Sequence, residues 1–143
     1  MKSIRDIVLV GVCLAIVAVP GYFGWHYFSG KYAEFDAVAQ PIIGDVADSG
    51  WSNEAVARHA SPKLKILLDD PAHKDALAAV RQLGKLKAFQ GVQGFNETTG
   101  GGKTTASLNA DAEFEHGKAN VSLSLSWIDD GWSLDSFYAQ AIP

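Results

Sequence analysis

Gly100-Gly101-Gly102-Lys103-Thr104 is the stretch whose residue types most directly suggest chemistry, because glycine amides followed by a lysine can cradle a phosphate. A phosphate loop also requires a glycine five positions before the Gly-Lys step, and that position is Glu97. It further requires a strand before it and a helix after it. This stretch falls between two strand patterns, so it reads as a hairpin loop. The histidines, His26, His59, His73 and His116, could ligate a metal or move protons. None of them pair at metal-ligand spacing, and the single cysteine is Cys13. His59 ends a predicted short helix, where a cation suits the dipole. His73 falls in the first turn of a predicted exposed helix, and His26 among aromatic residues. Asp111, Glu113 and Glu115 stand two apart and share a strand face. Calcium sites gather their ligands from loops, so these three read as a solvated acidic face.

The last pattern is a row of small hydroxyl residues, Ser122, Ser124 and Ser126, next to Asn109 and Asp111 on the neighbouring predicted strand. Such a face leaves a shallow polar surface instead of a filled core, suited to solvent or to a groove for a partner. Asn109, Asp111, Ser122, Ser124 and Ser126 are therefore the candidate partner-contact residues. No serine sits in a nucleophile-elbow sequence. The reading is one without catalytic residues, cofactor or metal.

The elements that position these residues change period halfway along. Tyr32, Phe35, Val38, Ala39, Ile42 and Ile43 lie on one helix face, and Gly44, Asp48 and Gly50 then loosen the chain. Ser52 is a predicted N-cap for a helix to about His59, and Ser61-Pro62 opens a second bearing Leu64, Leu67 and Leu68. Asp70-Pro71 repeats the signal and predicts a longer helix with Ala76, Leu77, Val80 and Leu83 on its inner face, stopped by Gly84. Lys85 to Phe95 is an irregular strand in which Gly91 and Gly94 allow a bulge, and Thr98 to Gly102 is a loop. From Thr104 to Glu115 apolar and polar residues alternate strictly, and from Lys118 to Ile128 they do so again, with Val121, Leu123, Leu125 and Trp127 inward. Asp129-Asp130-Gly131 is a hairpin turn, and Trp132 to Ala141 closes the sheet. Helices followed by an antiparallel meander give an α+β fold, with helices packed on a curved sheet of about four strands.

Ile7 to Phe28 is about 22 residues without a charged side chain. As a helix it reaches roughly 33 Å, enough to cross a bilayer core of about 30 Å. Pro20 interrupts the run, and Tyr22, Phe23, Trp25, Tyr27 and Phe28 crowd its end where a signal peptide wants small residues. It is read as a retained anchor, with a cleaved leader as the rival. Lys2 and Arg5 keep residues 1–6 cytoplasmic, and residues 31–143 are translocated as one domain. Cys13 lies within the run and leaves that domain no disulfide. Lys2, Arg5 and Asp6 are the only charges ahead of the domain, which is therefore net acidic by five. That balance disfavours nucleic acid or anionic lipid as the main partner.

The element order, with the ending Trp127-Ile128-Asp129-Asp130-Gly131-Trp132-Ser133-Leu134-Asp135-Ser136-Phe137-Tyr138, resembles the nuclear transport factor/ketosteroid isomerase-like superfamily. The Leu83-Gly84-Lys85-Leu86 handover from helix to strand fits the same pattern. The resemblance covers most of residues 31–143 and implies a cone-shaped fold with a tryptophan packed beneath its terminal hairpin. In the isomerases a tyrosine and two aspartates face a cavity. Those residues do not map here one by one, and Tyr32 and Asp36, at i, i+4, serve packing and solvation. A similar single-anchor architecture occurs in bitopic inner-membrane components of bacterial type IV secretion machines, where the domain is a contact surface. The expectation is a bacterial inner-membrane protein whose periplasmic domain contacts another envelope protein or itself. The rival is a ligand pocket lined by Phe89, Phe95, Phe114, Trp127 and Phe137.

Overall fold

Phe35, Ala39, Ile42, Ile43 and Val46 recur at the spacing of one helix face, and all five are buried along a helix, α1, over residues 29–48. The computed structural model describes residues 29–73 and 77–143. The predicted tail 1–6 and membrane span 7–28, with Cys13 and His26, lie outside the described residues, as does Ala76. The chain divides into two compact units, Met1–Glu34 and Phe35–Pro143. Of the first, residues 29–34 are described; they are helical, with Lys31 paired to Glu34 at 3.3 Å. Among the described residues no helix is long and apolar enough to cross a membrane.

The second unit is α+β, with helices ahead of a four-stranded antiparallel sheet in the order β1-β2-β3-β4. The strands are β1 (Leu86–Gly100), β2 (Lys103–Phe114), β3 (Gly117–Ile128) and β4 (Gly131–Ile142). The strict alternation read from β2 and β3 holds. Ala106, Leu108, Ala110, Ala112 and Phe114 are buried opposite Ala119, Val121, Leu123 and Leu125, and the helices cover that face. Ser52 and Ser61 cap α2 (Asn53–Ala57) and α3 (Pro62–Asp69), accepting from the amides of Ala55 and Leu64. Between these helices Ala60 forms a parallel bridge with Leu134. Ser61 N–H donates to Leu134 O at 2.8 Å and Leu134 N–H to His59 O at 2.7 Å, so the linker lies along the outer edge of β4.

Four expectations need correction. First, α1 does not loosen at Gly44. That residue stays helical, with Leu86 Cδ2 at ordinary contact distance, 3.5 Å, from where a Cβ would lie. The helix also runs through Pro41, which has no N–H for the Ala37 carbonyl; both residues are exposed, so water can serve it. Second, the long helix after Asp70-Pro71 is replaced, among the described residues, by 3₁₀ turns at Pro71–His73 and Arg81–Leu83. Leu77, Val80 and Leu83 are buried as expected, but their spacing of three matches three residues per turn better than 3.6. Asn53 also takes the His73 carbonyl at 2.8 Å, securing the chain there.

Third, the Thr98–Gly102 loop is mostly strand. β1 continues to Gly100, and Gly101 and Gly102, with φ of +59° and +76°, make a two-residue turn of the primed type. The predicted irregularity does occur: the register slips around Gly91 and Gly94, and Asp36 Oδ1 accepts the Val92 amide at 2.8 Å. Fourth, the tryptophan sealed in the core is Trp51, not Trp132. The chain leaves α1 through a Schellman motif, with Trp51 N–H on Val46 O at 2.8 Å and Gly50 N–H on Ala47 O at 3.2 Å. This puts the Trp51 backbone at φ +56° and its ring, 0 % exposed, against Phe114 and Phe137 at centroid distances of 5.0 and 6.3 Å. Its indole N–H donates to Gly84 O at 2.8 Å. Trp132 is half-buried and Trp127 is exposed.

Candidate functional site

The face of the sheet turned away from the helices is built by register. Ser107 on β2 pairs with Asn96 on β1 and Ser124 on β3, and Ser124 pairs with Ser136 on β4. The next row runs Gly94, Asn109, Ser122 and Tyr138, and the next Gly91, Asp111, Asn120 and Gln140. The five candidate contact residues thus share one face, and Asn109, Ser122 and Ser124 come together in a shallow trough with Gly94, Asn96 and Ser107. Asn120 donates to Asp111 Oδ1 at 2.8 Å and also to Asn109 Oδ1, fixing the two acceptors beside the trough. Ser126 stands apart from the trough: its hydroxyl donates to Asp135.

Tyr138, opposite Ser122, is the largest side chain on this face and is 62 % exposed. Sequence reasoning missed it because the register of β3 and β4 shifts between Ser124 and Leu125, leaving Asp135 as an extra residue. Below that bulge Leu134 points to the core. Above it Phe137 and Ala139 do, and Tyr138 is turned outward. Simple alternation from Leu134 would have placed Tyr138 inside.

The other candidates resolve into local structure. Asp111 is held by Asn120, Glu113 lies 3.6 Å from Lys87 Nζ, and Glu115, beyond the end of β2, accepts the Lys85 amide at 2.8 Å. The three carboxylates therefore do not converge. Among the described residues no group of three or more His, Cys, Asp or Glu is placed to hold a metal ion. Lys103 and Thr104 begin β2 right after the glycine turn, and no helix follows to present its amides to a phosphate. His59 does meet a charged partner. Its Nε2 is 2.8 Å from Asp45 Oδ2, while Arg58 reaches the same carboxylate through Nη2 at 2.8 Å and Nε at 3.0 Å. Hydrogen bonds from Arg58, then from His59, hold the Asp45 carboxyl down at about 2. Arg58 also donates to Ser49 Oγ at 2.8 Å, so the cluster ties the end of α1 to the α2–α3 linker.

Four of the aromatics proposed to line an interior pocket pack on other rings, and one of these, Phe137, also lines a cleft. Phe95 stacks on Phe35 at 5.0 Å, and Phe114 and Phe137 pack on Trp51. Trp127, 46 % exposed, meets Trp132 edge-on at 5.2 Å. An apolar cleft of about 160 Å³ opens between α2, α3 and β4, lined by Val56, Leu64, Leu67, Leu77 and Phe137. No family model matches this chain, and neither does any curated protein or solved structure.

Proposed function

We propose that this chain is a single-pass protein of a bacterial inner membrane whose periplasmic α+β domain is a contact or assembly module, without catalysis of its own. The observation that carries the reading is the polar sheet face: within residues 35–143 the helices cover one side and leave rows of Ser, Asn and Gly, with Tyr138 standing beside them. Small side chains let a partner backbone approach closely, and a tyrosine offers apolar area and a hydroxyl at little entropic cost. The partner is another envelope protein or a second copy. The apolar run 7–28 and the basic Lys2 and Arg5 support the anchor and its orientation. The order of helices before a meander, with a Gly-Trp hairpin, supports kinship with the nuclear transport factor-like superfamily.

The test is photocrosslinking of the full-length protein in native membranes, with probes at Ser122 and Ser124 and readout by mass spectrometry. One dominant protein adduct at both positions is expected; background alone at both would sink the reading. The rival reading, a small-ligand site, draws on the cleft between α2, α3 and β4. That cleft holds about 160 Å³, below the ~300 Å³ at which drug-sized pockets begin, whereas the open cleft lined by Lys63, Lys103, Ser126 and Trp127 holds about 540 Å³.

A further inference from the structure

The β1–β2 and β3–β4 turns lie at one end of the meander, and there the domain exposes apolar surface that its own elements do not cover. Trp127 and Ile128, the last residues of β3, are 46 % and 36 % exposed. They do not dangle. Trp127 pairs with Trp132 across the hairpin, ring to ring at 5.2 Å, and Trp132 packs on Phe35 at 5.8 Å. Phe35, Trp132 and Trp127 thus form a rigid ladder from the first residue of the compact unit out to solvent. Lys63 and Lys103 line the same cleft as Trp127 and Ile128.

We propose that this end of the sheet rests in the headgroup layer of the bilayer, with Trp127 and Ile128 as the contacting side chains. The inference depends on the anchor reading above and adds a lipid surface as a second contact of the domain. Only residues 29–34 separate Phe28, where the apolar run stops, from Phe35 at the foot of the ladder. Even fully extended, the seven residue steps from Phe28 to Phe35 span no more than ~25 Å, so Phe35 cannot move farther than that from the end of the run. A surface tethered that closely needs little intrinsic affinity to stay engaged. Tryptophan is also the side chain that best suits an interface, apolar over its ring and polar at its N–H. Asp129 and Asp130 at the turn offset Lys63 and Lys103. The contact is therefore shallow, driven by apolar burial, and insensitive to salt, whereas one driven by anionic lipid would weaken as salt rises.

The test uses the full-length chain in phosphatidylethanolamine–phosphatidylglycerol nanodiscs, spin-labelled at one cysteine at a time. Native Cys13 reports on the anchor. In a Cys13→Ser background, Ile128→Cys reports on the contact and Gln82→Cys, exposed on the Arg81–Leu83 turn, on water. Collision with lipid-soluble oxygen relative to a water-soluble nickel complex should be several-fold higher at 128 than at 82. Adding Trp127→Ala should bring 128 close to the value at 82. A lipid-exposed Cys13 with a water-exposed 128 overturns the contact and leaves the anchor standing. A water-exposed Cys13 overturns the anchor and the contact together. A label at 128 shielded from both reagents overturns the lipid contact in favour of a protein occupant.

Discussion

At the β2–β3 end of the sheet Trp51 is sealed from water on every side, while at the opposite end Trp127 and Trp132 climb outward in a ladder that finishes in solvent. Both ends use aromatic pairs with similar ring spacing, so the difference lies in what surrounds them. Around Trp51 the chain closes from several directions at once: the Schellman turn of α1, Gly84, Phe114 on β2 and Phe137 on β4. Around Trp127 stand the hairpin partner, the open cleft it shares with Lys63 and Lys103 and, one ring further in, Phe35. The same residue type is core at one end and surface at the other, and the sealed one has its indole N–H on the Gly84 carbonyl. An aromatic whose polar atom is satisfied internally has been committed to folding; one left half in water remains open to binding.

Truncating the sealed tryptophan gives the largest expected effect. Trp51→Ala should cost about 3–5 kcal/mol in chemical denaturation followed by near-UV circular dichroism. Trp51→Phe keeps most of the volume but leaves Gly84 O without its donor, for a loss of about 1–3 kcal/mol. A loss for Trp51→Ala below that of Trp132→Ala would reverse the comparison. Trp132→Ala removes a half-buried ring from Phe35, and the same assay should read about 1–3 kcal/mol. Next comes the cluster joining α1 to the α2–α3 linker. Because folding lowers the Asp45 carboxyl from 3.8 to about 2, its contribution is complete above pH 4 and is lost as pH falls through 2. Asp45→Asn should therefore narrow the gap between stability at neutral and at acid pH, by less than about 1 kcal/mol because the pair is exposed. An unchanged acid limb would remove the cluster from the account. Trp127→Ala should shift stability by no more than about 0.5 kcal/mol, and a larger loss would make the outer rung structural after all.

Much of this was legible because the physics is local. The alternation in β2 and β3, the caps at Ser52 and Ser61 and the Asp129-Asp130 turn each depend on residues within a few positions of one another. The serine face followed directly from that alternation. Tyr138 did not, because one extra residue at Asp135 inverts every side chain after it, and nothing nearby marks the slip. The segment Leu77–Leu83 was read as α-helix because a period of three and one of 3.6 cannot be told apart over two turns. Trp51 falls between Gly50 and the N-cap Ser52, where no local pattern marks it as core. What makes it core lies on Gly84, Phe114 and Phe137, far along the chain.

That distance has a consequence for how the protein is made. The ring of Trp51 is enclosed only when Phe137 of β4, the final strand, arrives beside it. A chain still emerging, by synthesis or by translocation, holds its first helices and a growing meander without the piece that shuts the core. Closure must await β4, so helper proteins would meet an open intermediate, and a chain truncated before Phe137 would show Trp51 emission shifted to the red, as for an indole in water.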